Sequence, residues 1–320
     1  MLTWEGYTED AMVKAFEEAN GVTVTRTYVG SNDEYMAKLA AGDGDYDIVT
    51  IVSSLAQRAI NAGFVEPVDL AAIPNYSQLF KDIQRLPFNE KDGEVYGVPF
   101  VWGLIPITVN AEVIPDRTDR GVLFDPQYAG KIAIWDDVNV IGEVATYLGY
   151  EDIWNLTDEQ LEAVKQKMIE QKPMVRTYFT NAGEAVDLFL NGEIVIAPGW
   201  DYITQALLKE GFPARQFYPD KNPIGFVDSN FLVKGTQHRE LALKLMNYLI
   251  GAQPQATMGE LSGWTPTNPE SKAYMTPEVW NRLLMDELPT YLRTVKFWED
   301  IPRRAKYLEI LNEVKAAPVQ

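Results

Sequence analysis

The sequence contains no cysteine and a single histidine, His238, among its 320 residues. Without cysteine there can be no disulfide, no thiolate nucleophile and no cysteine-bound zinc. A Ser-His-Asp triad would have to use His238, which lies in the polar segment KGTQHRE, and no G-x-S-x-G sequence offers a nucleophilic serine. Histidine-based metal sites fail for the same reason. We therefore predict a protein with no catalytic residue, no metal site and no cofactor.

Long apolar runs and positive charge are also scarce. No run approaches the roughly 18 apolar residues needed to cross a bilayer, and Met1 directly precedes the first predicted strand without a signal peptide. We expect that a leader has been removed and that the protein acts in the periplasm or on a lipid anchor. The 28 Lys and Arg stand against 46 Asp and Glu, giving a net charge of −18. Such a chain repels nucleic acid and anionic membranes and attracts small cations.

The first 63 residues alternate strands and helices. Strand patterns cover 2–4, 22–29 and 46–52, and helix patterns cover 8–19, 31–42 and 53–63. Thr8 is the predicted N-cap of the first helix, Asn20-Gly21 its end, and Ser31 with Glu34 forms a capping box for the second. Short connections of this kind predict a doubly wound parallel sheet.

A second α/β region follows after the segment EVYGVPFVWG at 94–103. Helix patterns cover 158–171, 182–193, 200–211 and 239–252, and strand patterns cover 125–137, 194–199 and 222–235. Thr157 is the predicted N-cap of the helix at 158–171. The length of the chain suggests two domains or one large α/β unit, and no long flexible linker interrupts the sequence. We therefore expect several strand-like crossings between two lobes.

Aromatic residues make up 12% of the chain, and several stand beside an acid where an element ends. A buried ammonium needs carboxylate partners, and aromatic faces add about 0.5–2 kcal/mol of cation–π attraction each. An amine site should therefore consist of an aromatic plus an acid, repeated at strand ends and helix starts. Five such pairs occur: Trp4-Glu5, Trp135-Asp136-Asp137, Trp200-Asp201, Phe226-Val227-Asp228 and Trp298-Glu299-Asp300. For any single pair, a core aromatic beside a surface acid is the ordinary alternative.

Several segments occur in the order found in one known family. They are Trp4 on the opening strand, AGDGDYDIV at 41–49, YGVPFVWGL at 96–104, FDPQYAGKIAIWDD at 124–137, ALKLMNYLI at 242–250 and GWTPTN at 263–268. The chain thereby resembles the bacterial extracellular solute-binding proteins of ABC importers, most closely the spermidine/putrescine-binding branch. The resemblance implies a type II-like periplasmic-binding fold of two α/β lobes, each a mainly parallel sheet flanked by helices. Lobe 1 would hold 1–106 and 228–270, and lobe 2 would hold 107–227 and 271–320, with the ligand cleft between them.

The resemblance also implies roles for individual residues. Trp4 is expected to pack on the ligand chain, Trp200 to sandwich the ligand, and Trp264 to stand in place of a ligand-contacting tyrosine. Asp137 and Asp228 are expected to bind amines, Ser53 and Ser54 to supply hydroxyl contacts, and Glu299 to stand where the spermidine-binding type has glutamine. The expected ligand-binding set is completed by the neighbours of these groups, Glu5, Trp102, Asp201 and Phe226. For Trp102, core packing is an equal alternative. The family's second acid after the D-D segment falls on Val140, Glu5 replaces a hydroxyl residue, and Ser54 replaces a tyrosine.

We therefore predict the substrate-binding component of an ABC importer that captures a polyamine such as putrescine or spermidine by closure of two lobes. The expected partners are that amine and a membrane permease, and the protein is expected to be a monomer. Because one acid is missing, the ligand could instead be γ-aminobutyrate, another amino acid or a quaternary amine. A zwitterion would need a cation for its carboxylate, and no Arg or Lys lies at the matched positions. An enzyme using Asp137 and Asp228 as paired carboxylates and a sensor version of the same scaffold are further alternatives.

Overall fold

A computed structural model describes residues 1–29, 32–42, 46–219 and 222–318. The chain divides into two compact units. Unit 1 comprises Met1–Gly103, Gly225–Arg293 and Phe297–Asp300, and unit 2 comprises Leu104–Ile224, Thr294–Lys296 and Ile301–Gln320. The chain therefore passes from one unit to the other at five places, near residues 103, 224, 293, 296 and 300.

The largest differences from the expected lobe boundaries lie in two segments. The sequence places residues 271–293 in the second lobe, but they lie in unit 1. The reason is local: the backbone N–H of Thr276 donates to the Glu260 side chain, and Met275 packs so closely on Gly259 that a Cβ there would lie 2.7 Å from its terminal methyl carbon. Residues 297–300 also belong to unit 1, where the Trp298 N–H donates to the Gly225 carbonyl at 2.8 Å.

The strands and helices have the following bounds. The strands are β1 (Leu2–Trp4), β2 (Thr27–Val29), β3 (Ile48–Val52), β4 (Val65–Glu66), β5 (Glu90–Lys91), β6 (Glu94–Val95), β7 (Gly97–Leu104), β8 (Ile107–Asn110), β9 (Ile132–Trp135), β10 (Val175–Phe179), β11 (Ile196–Pro198), β12 (Ala214–Phe217), β13 (Ile224–Val233), β14 (Thr265–Pro266) and β15 (Lys296–Phe297). The helices are α1 (Asp10–Asn20), α2 (Asn32–Ala41), α3 (Ser53–Asn61), α4 (Val140–Tyr147), α5 (Asp158–Gln171), α6 (Ala182–Leu190), α7 (Asp201–Lys209), α8 (Arg239–Leu249), α9 (Ala252–Ser262), α10 (Pro277–Arg282), α11 (Leu288–Tyr291) and α12 (Arg304–Ala316). None of these helices has both the length and the apolar character that a bilayer crossing requires.

Unit 1 is built on a sheet with the strand order β14-β7-β13-β3-β1-β2. β1 lies parallel to β2 and β3, as the alternating pattern of the first residues predicts. β13 runs antiparallel to β3, and its Asp228 pairs with Val52 at the end of β3. β3 and β7 are buried along their whole length, because helices cover the sheet and leave no polar alternation in these strands.

Unit 2 is built on a second sheet with the order β10-β9-β11-β8-β12. β9 lies parallel to β10 and β11, whereas β8 runs antiparallel to β11 and β12. A core of fully buried side chains that includes Phe179 and Phe189 lies under α6 and α7. The two-lobe α/β class is confirmed, but both sheets are mixed, since β8 runs antiparallel to β11 and β12, and β13 runs antiparallel to β3 and β4.

The element ends show where sequence patterns succeed. Gly21 ends α1 in the left-handed conformation, and Thr157 is the N-cap of α5, both as predicted. The structure adds a capping box between Thr157 and Gln160. The expected Thr8 cap is wrong, since Glu9 occupies the N-cap position of α1. Of the expected strand 22–29, only Thr27–Val29 forms a strand. The N–H groups of Val22 and Val24 donate to Glu17 instead of to a neighbouring strand. The predicted cap at Ser31 and part of the 41–49 motif lie outside the described residues.

Candidate functional site

Unit 1 brings three predicted ligand residues to one edge of its sheet. Trp4 ends β1, Ser53 begins α3 directly after β3, and Asp228 lies on β13 opposite Val52. β1, β3 and β13 are neighbours in the sheet, and neighbouring strands lie about 4.8 Å apart. Ligands of open α/β sheets bind outside the carboxyl ends of the parallel strands, which is the edge where these residues meet.

Asp228 is the central acid of this edge. Its side chain is buried, and the Tyr7 hydroxyl donates to its Oδ2 at 2.5 Å. Its second oxygen, Oδ1, is buried and has no hydrogen-bond partner within the described part of the chain. Burial raises the pKa of the Asp228 carboxyl to about 7, against a smaller lowering by the Tyr7 hydrogen bond. The carboxyl therefore has one oxygen held by Tyr7 and one that no donor among the described residues satisfies.

Two further buried polar atoms at this edge have no partner among the described residues. They are the indole Nε1 of Trp4 and the hydroxyl of Ser53. Ser53 opens α3, whose N-terminus has no side-chain cap, so the first N–H groups of that helix also lack a capping side chain. The edge can accept a hydrogen bond at Asp228 and donate one from Trp4, because an indole N–H is a donor only.

Aromatic rings pack beside Asp228 in a chain of edge-to-face and stacked contacts. Tyr7 lies 5.0 Å from Trp264 and 6.1 Å from Phe100, centroid to centroid. Phe226 lies 6.4 Å from Trp264 and stacks on Trp298 at 5.7 Å. We call these five residues the aromatic chain of unit 1. Such faces give an alkyl stem apolar walls and attract a cation.

The turn that carries Tyr7 depends on a glycine. Gly6 has φ +81, and a Cβ at that position would lie 3.1 Å from Nε1 of Trp264. The left-handed conformation strains any side chain except glycine. The sequence Trp4-Glu5-Gly6-Tyr7 therefore places the Trp4 ring at the strand end and sends Tyr7 back toward Asp228.

Unit 2 carries a second cluster of aromatic and acidic side chains. Trp135 at the end of β9 lies 4.7 Å from Trp200, edge to face. Asp201 opens α7, and its Oδ1 accepts from Nε2 of Gln216 at 2.7 Å and from the Tyr218 hydroxyl at 3.0 Å. Burial raises the pKa of Asp201 to about 6, partly offset by these two hydrogen bonds. The cluster lies at the carboxyl ends of the parallel strands β9 and β11, as the site in unit 1 lies at the carboxyl ends of β1 and β3.

The acids after β9 have different roles. Asp136 forms an ion pair with Lys315 at 2.7 Å, so it is engaged on its own surface. Asp137 accepts from the N–H of Asn139 at 2.9 Å in a short turn before α4. Asp137 therefore stays the predicted ligand acid of that segment, and Asp136 has a structural role.

The other predicted site residues fall into three environments. Trp102 is fully buried, and its indole N–H donates to the Pro266 carbonyl at 2.8 Å; this supports the core-packing alternative, and its role in binding stays a prediction. Glu5 and Glu299 are exposed, and Ser54 is half-buried. Phe226 is buried within the aromatic chain.

Tyr7 and Tyr35 are site residues that the sequence did not identify. Tyr7 bonds to Asp228, a residue 221 positions away. The Tyr35 ring packs 5.3 Å from the Trp4 ring, centroid to centroid. Burial raises the pKa of Tyr35, and the negative charge of Asp228 raises it further. The available signal for Tyr7 was its position three residues after Trp4, across a glycine, in the turn between β1 and α1.

Two α/β units on a chain that passes repeatedly between them have the architecture of a solute-binding protein. A family model described as bacterial extracellular solute-binding protein matches residues 11–286. The chain therefore belongs to the bacterial extracellular solute-binding family.

Individual relatives support the same assignment. The spermidine/putrescine-binding periplasmic protein of Escherichia coli strain K12 is 25% identical over 283 residues, which are 87% of this chain and 80% of that protein. The solved structure of the spermidine/putrescine ABC transporter substrate-binding protein PotD from Streptococcus pneumoniae has a TM-score of 0.87 at 18% identity, covering 98% of this chain and 97% of that one. The γ-aminobutyrate (GABA) receptor Atu4243 has a TM-score of 0.77 at 21% identity, covering 100% and 98%.

Proposed function

We propose that this protein is the substrate-binding component of an ABC importer and binds a small amine-bearing cation, a polyamine such as putrescine or spermidine. The observation that carries the proposal is Asp228: a buried carboxyl with Tyr7 on one oxygen and, among the described residues, no partner on the other. A buried carboxylate without a cation is unfavourable by several kcal/mol, and a ligand ammonium at Oδ1 removes that cost. The names of the relatives, which are spermidine- and putrescine-binding proteins, support this ligand class.

The wider biological role follows from the same proposal. The protein acts outside the cytoplasmic membrane, in a periplasm or on a lipid anchor, and delivers its ligand to a membrane permease. It has no catalytic step. Family membership supports binding over the alternative of a hydrolase that uses Asp137 and Asp228. The monomeric state and the contributions of Glu5, Ser54, Asp137, Trp200, Asp201 and Glu299 to binding stay predictions.

A second ligand class is favoured by a specific observation. The buried Nε1 of Trp4 can only donate, and an α3 N-terminus without a side-chain cap also favours an acceptor. A plain diamine offers no acceptor, whereas γ-aminobutyrate offers a carboxylate as well as an ammonium. The name of the structural relative Atu4243 points to this ligand. Against it, no cationic side chain contacts these atoms in the described residues.

A thermal-shift panel separates these ligands. The panel holds putrescine, spermidine, γ-aminobutyrate, choline and glycine betaine at about pH 8. A ligand at 100 times its dissociation constant stabilises a folded protein by about 2.7 kcal/mol. The proposal predicts the largest shift with a polyamine. A response to γ-aminobutyrate alone would overturn the polyamine assignment and favour the second class, and no response to any amine would overturn both.

A further inference from the structure

The Tyr7 hydroxyl fixes the orientation of the Asp228 carboxyl. Tyr7 is 3% exposed, and its ring is held by Phe100 and Trp264. Its hydroxyl therefore meets Oδ2 from a position that packing determines. The remaining oxygen, Oδ1, is buried and has no partner among the described residues, so it is the oxygen left for a ligand donor. Tyr7 thus determines which atom of Asp228 is offered to an ammonium.

The surroundings of Asp228 supply no compensating positive charge from the described groups that interact with it. The facing residues on the neighbouring elements are Val52 of β3, Ser53 of α3, Tyr7 before α1 and Tyr35 of α2. The titratable groups in this set are the two tyrosines, whose pKa values are raised well above the ordinary value. Burial places the pKa of Asp228 at about 7, and the Tyr7 hydrogen bond keeps it from rising further.

Resting on the proposed function, we infer that amine capture is proton-linked, so that an ammonium arriving at Oδ1 of Asp228 displaces a proton from that carboxyl, and that Tyr7 is a positioning residue that sets the pH at which this exchange occurs. The step forms no covalent bond. The neutral carboxyl loses its proton to the solvent and becomes a carboxylate, and the ammonium keeps all its own protons. The receptor holds its ligand at neutral and alkaline pH and releases it in acid.

Proton-linked capture predicts a defined pH profile. Putrescine affinity should be constant above about pH 8 and fall about tenfold for each pH unit below about pH 7, since only the ionised carboxyl binds. The ammonium groups of putrescine stay charged below about pH 9, so the change arises in the protein.

The variant Tyr7→Phe tests the positioning role, because it keeps the ring and removes the hydroxyl. Loss of a hydrogen bond to the ionised carboxyl should move the acid limb of the affinity profile upward by about one to two pH units. At high pH the affinity of Tyr7→Phe should approach that of the wild type. A merely structural role of Tyr7 would lower affinity equally at every pH. Tyr248→Phe is the matched control, because its hydroxyl bonds to the Met12 carbonyl at 2.9 Å and not to Asp228.

The experiment is isothermal titration calorimetry with putrescine from about pH 5.5 to 9. Each pH is measured in two buffers of different ionisation enthalpy, neither of them an amine, which gives the protons released per ligand. We expect a release close to one near pH 6 that approaches zero above pH 8. Asp201→Asn removes a second acid whose pKa burial raises, so a release that persists in this variant does not come from Asp201.

The outcomes separate the inference from the proposed function. Putrescine binding with no proton release across this range, or a uniform loss of affinity in Tyr7→Phe, would overturn the inference and leave the polyamine function standing. An absence of putrescine binding at every pH would overturn the proposed function itself. The proton count in the wild type decides the question even if Tyr7→Phe does not fold.

Discussion

Asp228 concentrates the chemistry of unit 1 in one carboxyl. Its burial opposes ionisation, and Tyr7 offsets that only in part. In the unliganded protein the group is therefore close to balance between the neutral and the charged form near pH 7. A cation changes this balance more than any neutral ligand could, because it stabilises the charged form directly. We therefore expect selectivity for cations to originate in this buried carboxyl.

The stability of the unliganded protein should carry the signature of this carboxyl. Its folded-state pKa, about 7, lies above the ordinary value of 3.8, so the folded chain holds a proton that the unfolded chain has lost. The contribution of this proton to the free energy of unfolding is complete below about pH 4, and it is lost as pH rises to about 7. Asp228→Asn lacks this change. Relative to wild type, we expect the variant to gain on the order of a few kcal/mol of unfolding free energy between about pH 4.5 and pH 8.

Chemical denaturation of both proteins across that range measures the difference, without amine in the buffer. The comparison uses the slope of the free energy of unfolding against pH in each protein, because the cost of burying the asparagine NH₂ group does not change with pH. A pH dependence identical in the two proteins would show that Asp228 is ionised throughout and that burial does not hold its proton.

The sequence predicted part of this site. Trp4, Asp228 and Trp264 follow from the resemblance to the family, because each stands in a recognisable segment. Tyr7 could not be predicted, since its partner lies 221 residues away and the bond depends on the fold. Trp102 was ambiguous for a similar reason, as its hydrogen bond to Pro266 joins β7 to β14. Sequence supplies the chemical groups, and the tertiary contacts decide which of them face a ligand.

At the scale of elements, the turn between β1 and α1 connects the sheet edge to the aromatic chain. Gly6 permits the left-handed turn, and its missing side chain lets Trp264 approach. Trp4 and Tyr7 stand only three positions apart, so the backbone of this turn positions both rings. The turn is short enough that any change in its conformation moves both rings.

Gly6→Ala should therefore affect both stability and binding. The positive φ costs about 1 kcal/mol for an alanine, and the added methyl group meets the Trp264 indole at 3.1 Å. Gly21→Ala is a matched control, since Gly21 has φ +65 and a Cβ added there would meet nothing within 4 Å. We expect similar losses of melting temperature from the backbone, but weaker putrescine binding in Gly6→Ala alone. Equal affinities in the two variants would show that this turn does not shape the site.

Helix ends show where local sequence is sufficient. The N-cap of α5 is a contact within four residues, and the sequence predicted Thr157 at this position correctly. The N-terminus of α1 was misplaced, because Thr8 is buried and Glu9 takes the cap position without a side-chain bond. A cap that competes with tertiary packing cannot be predicted from the local pattern.

At the scale of the whole molecule, the sequence predicted two α/β lobes joined by crossing strands, and the structure confirms that class. It did not predict that 271–293 joins unit 1, because this segment has short helical turns and no strong periodicity. Its place is determined by contacts with α9 that no local pattern reveals. The mixed strand directions also follow from the crossings, which a βα rhythm does not encode.

Participation of unit 2 in binding is a property of the whole molecule and is tested by Trp200→Ala. Trp200 is half-buried, with Trp135 against one edge, and loss of a ring that packs on the ligand should weaken putrescine binding by about 1 kcal/mol or more. Tyr202→Ala is the control, as that ring lies two residues further along the chain, in α7, and is 62% exposed. Calorimetry should show weaker binding in Trp200→Ala with Tyr202→Ala unchanged. Wild-type affinity in both would confine the site to unit 1.

The most direct test compares wild type and Asp228→Asn by calorimetry with putrescine at about pH 8, where the carboxyl is ionised. Circular dichroism would establish that both proteins are folded. Removing one member of a buried charge pair costs about 2–5 kcal/mol in typical interfaces. We expect one putrescine per wild-type chain and an affinity at least about thirtyfold weaker in the variant. Equal affinity in the two proteins would contradict the claim that this carboxyl binds the ligand's ammonium.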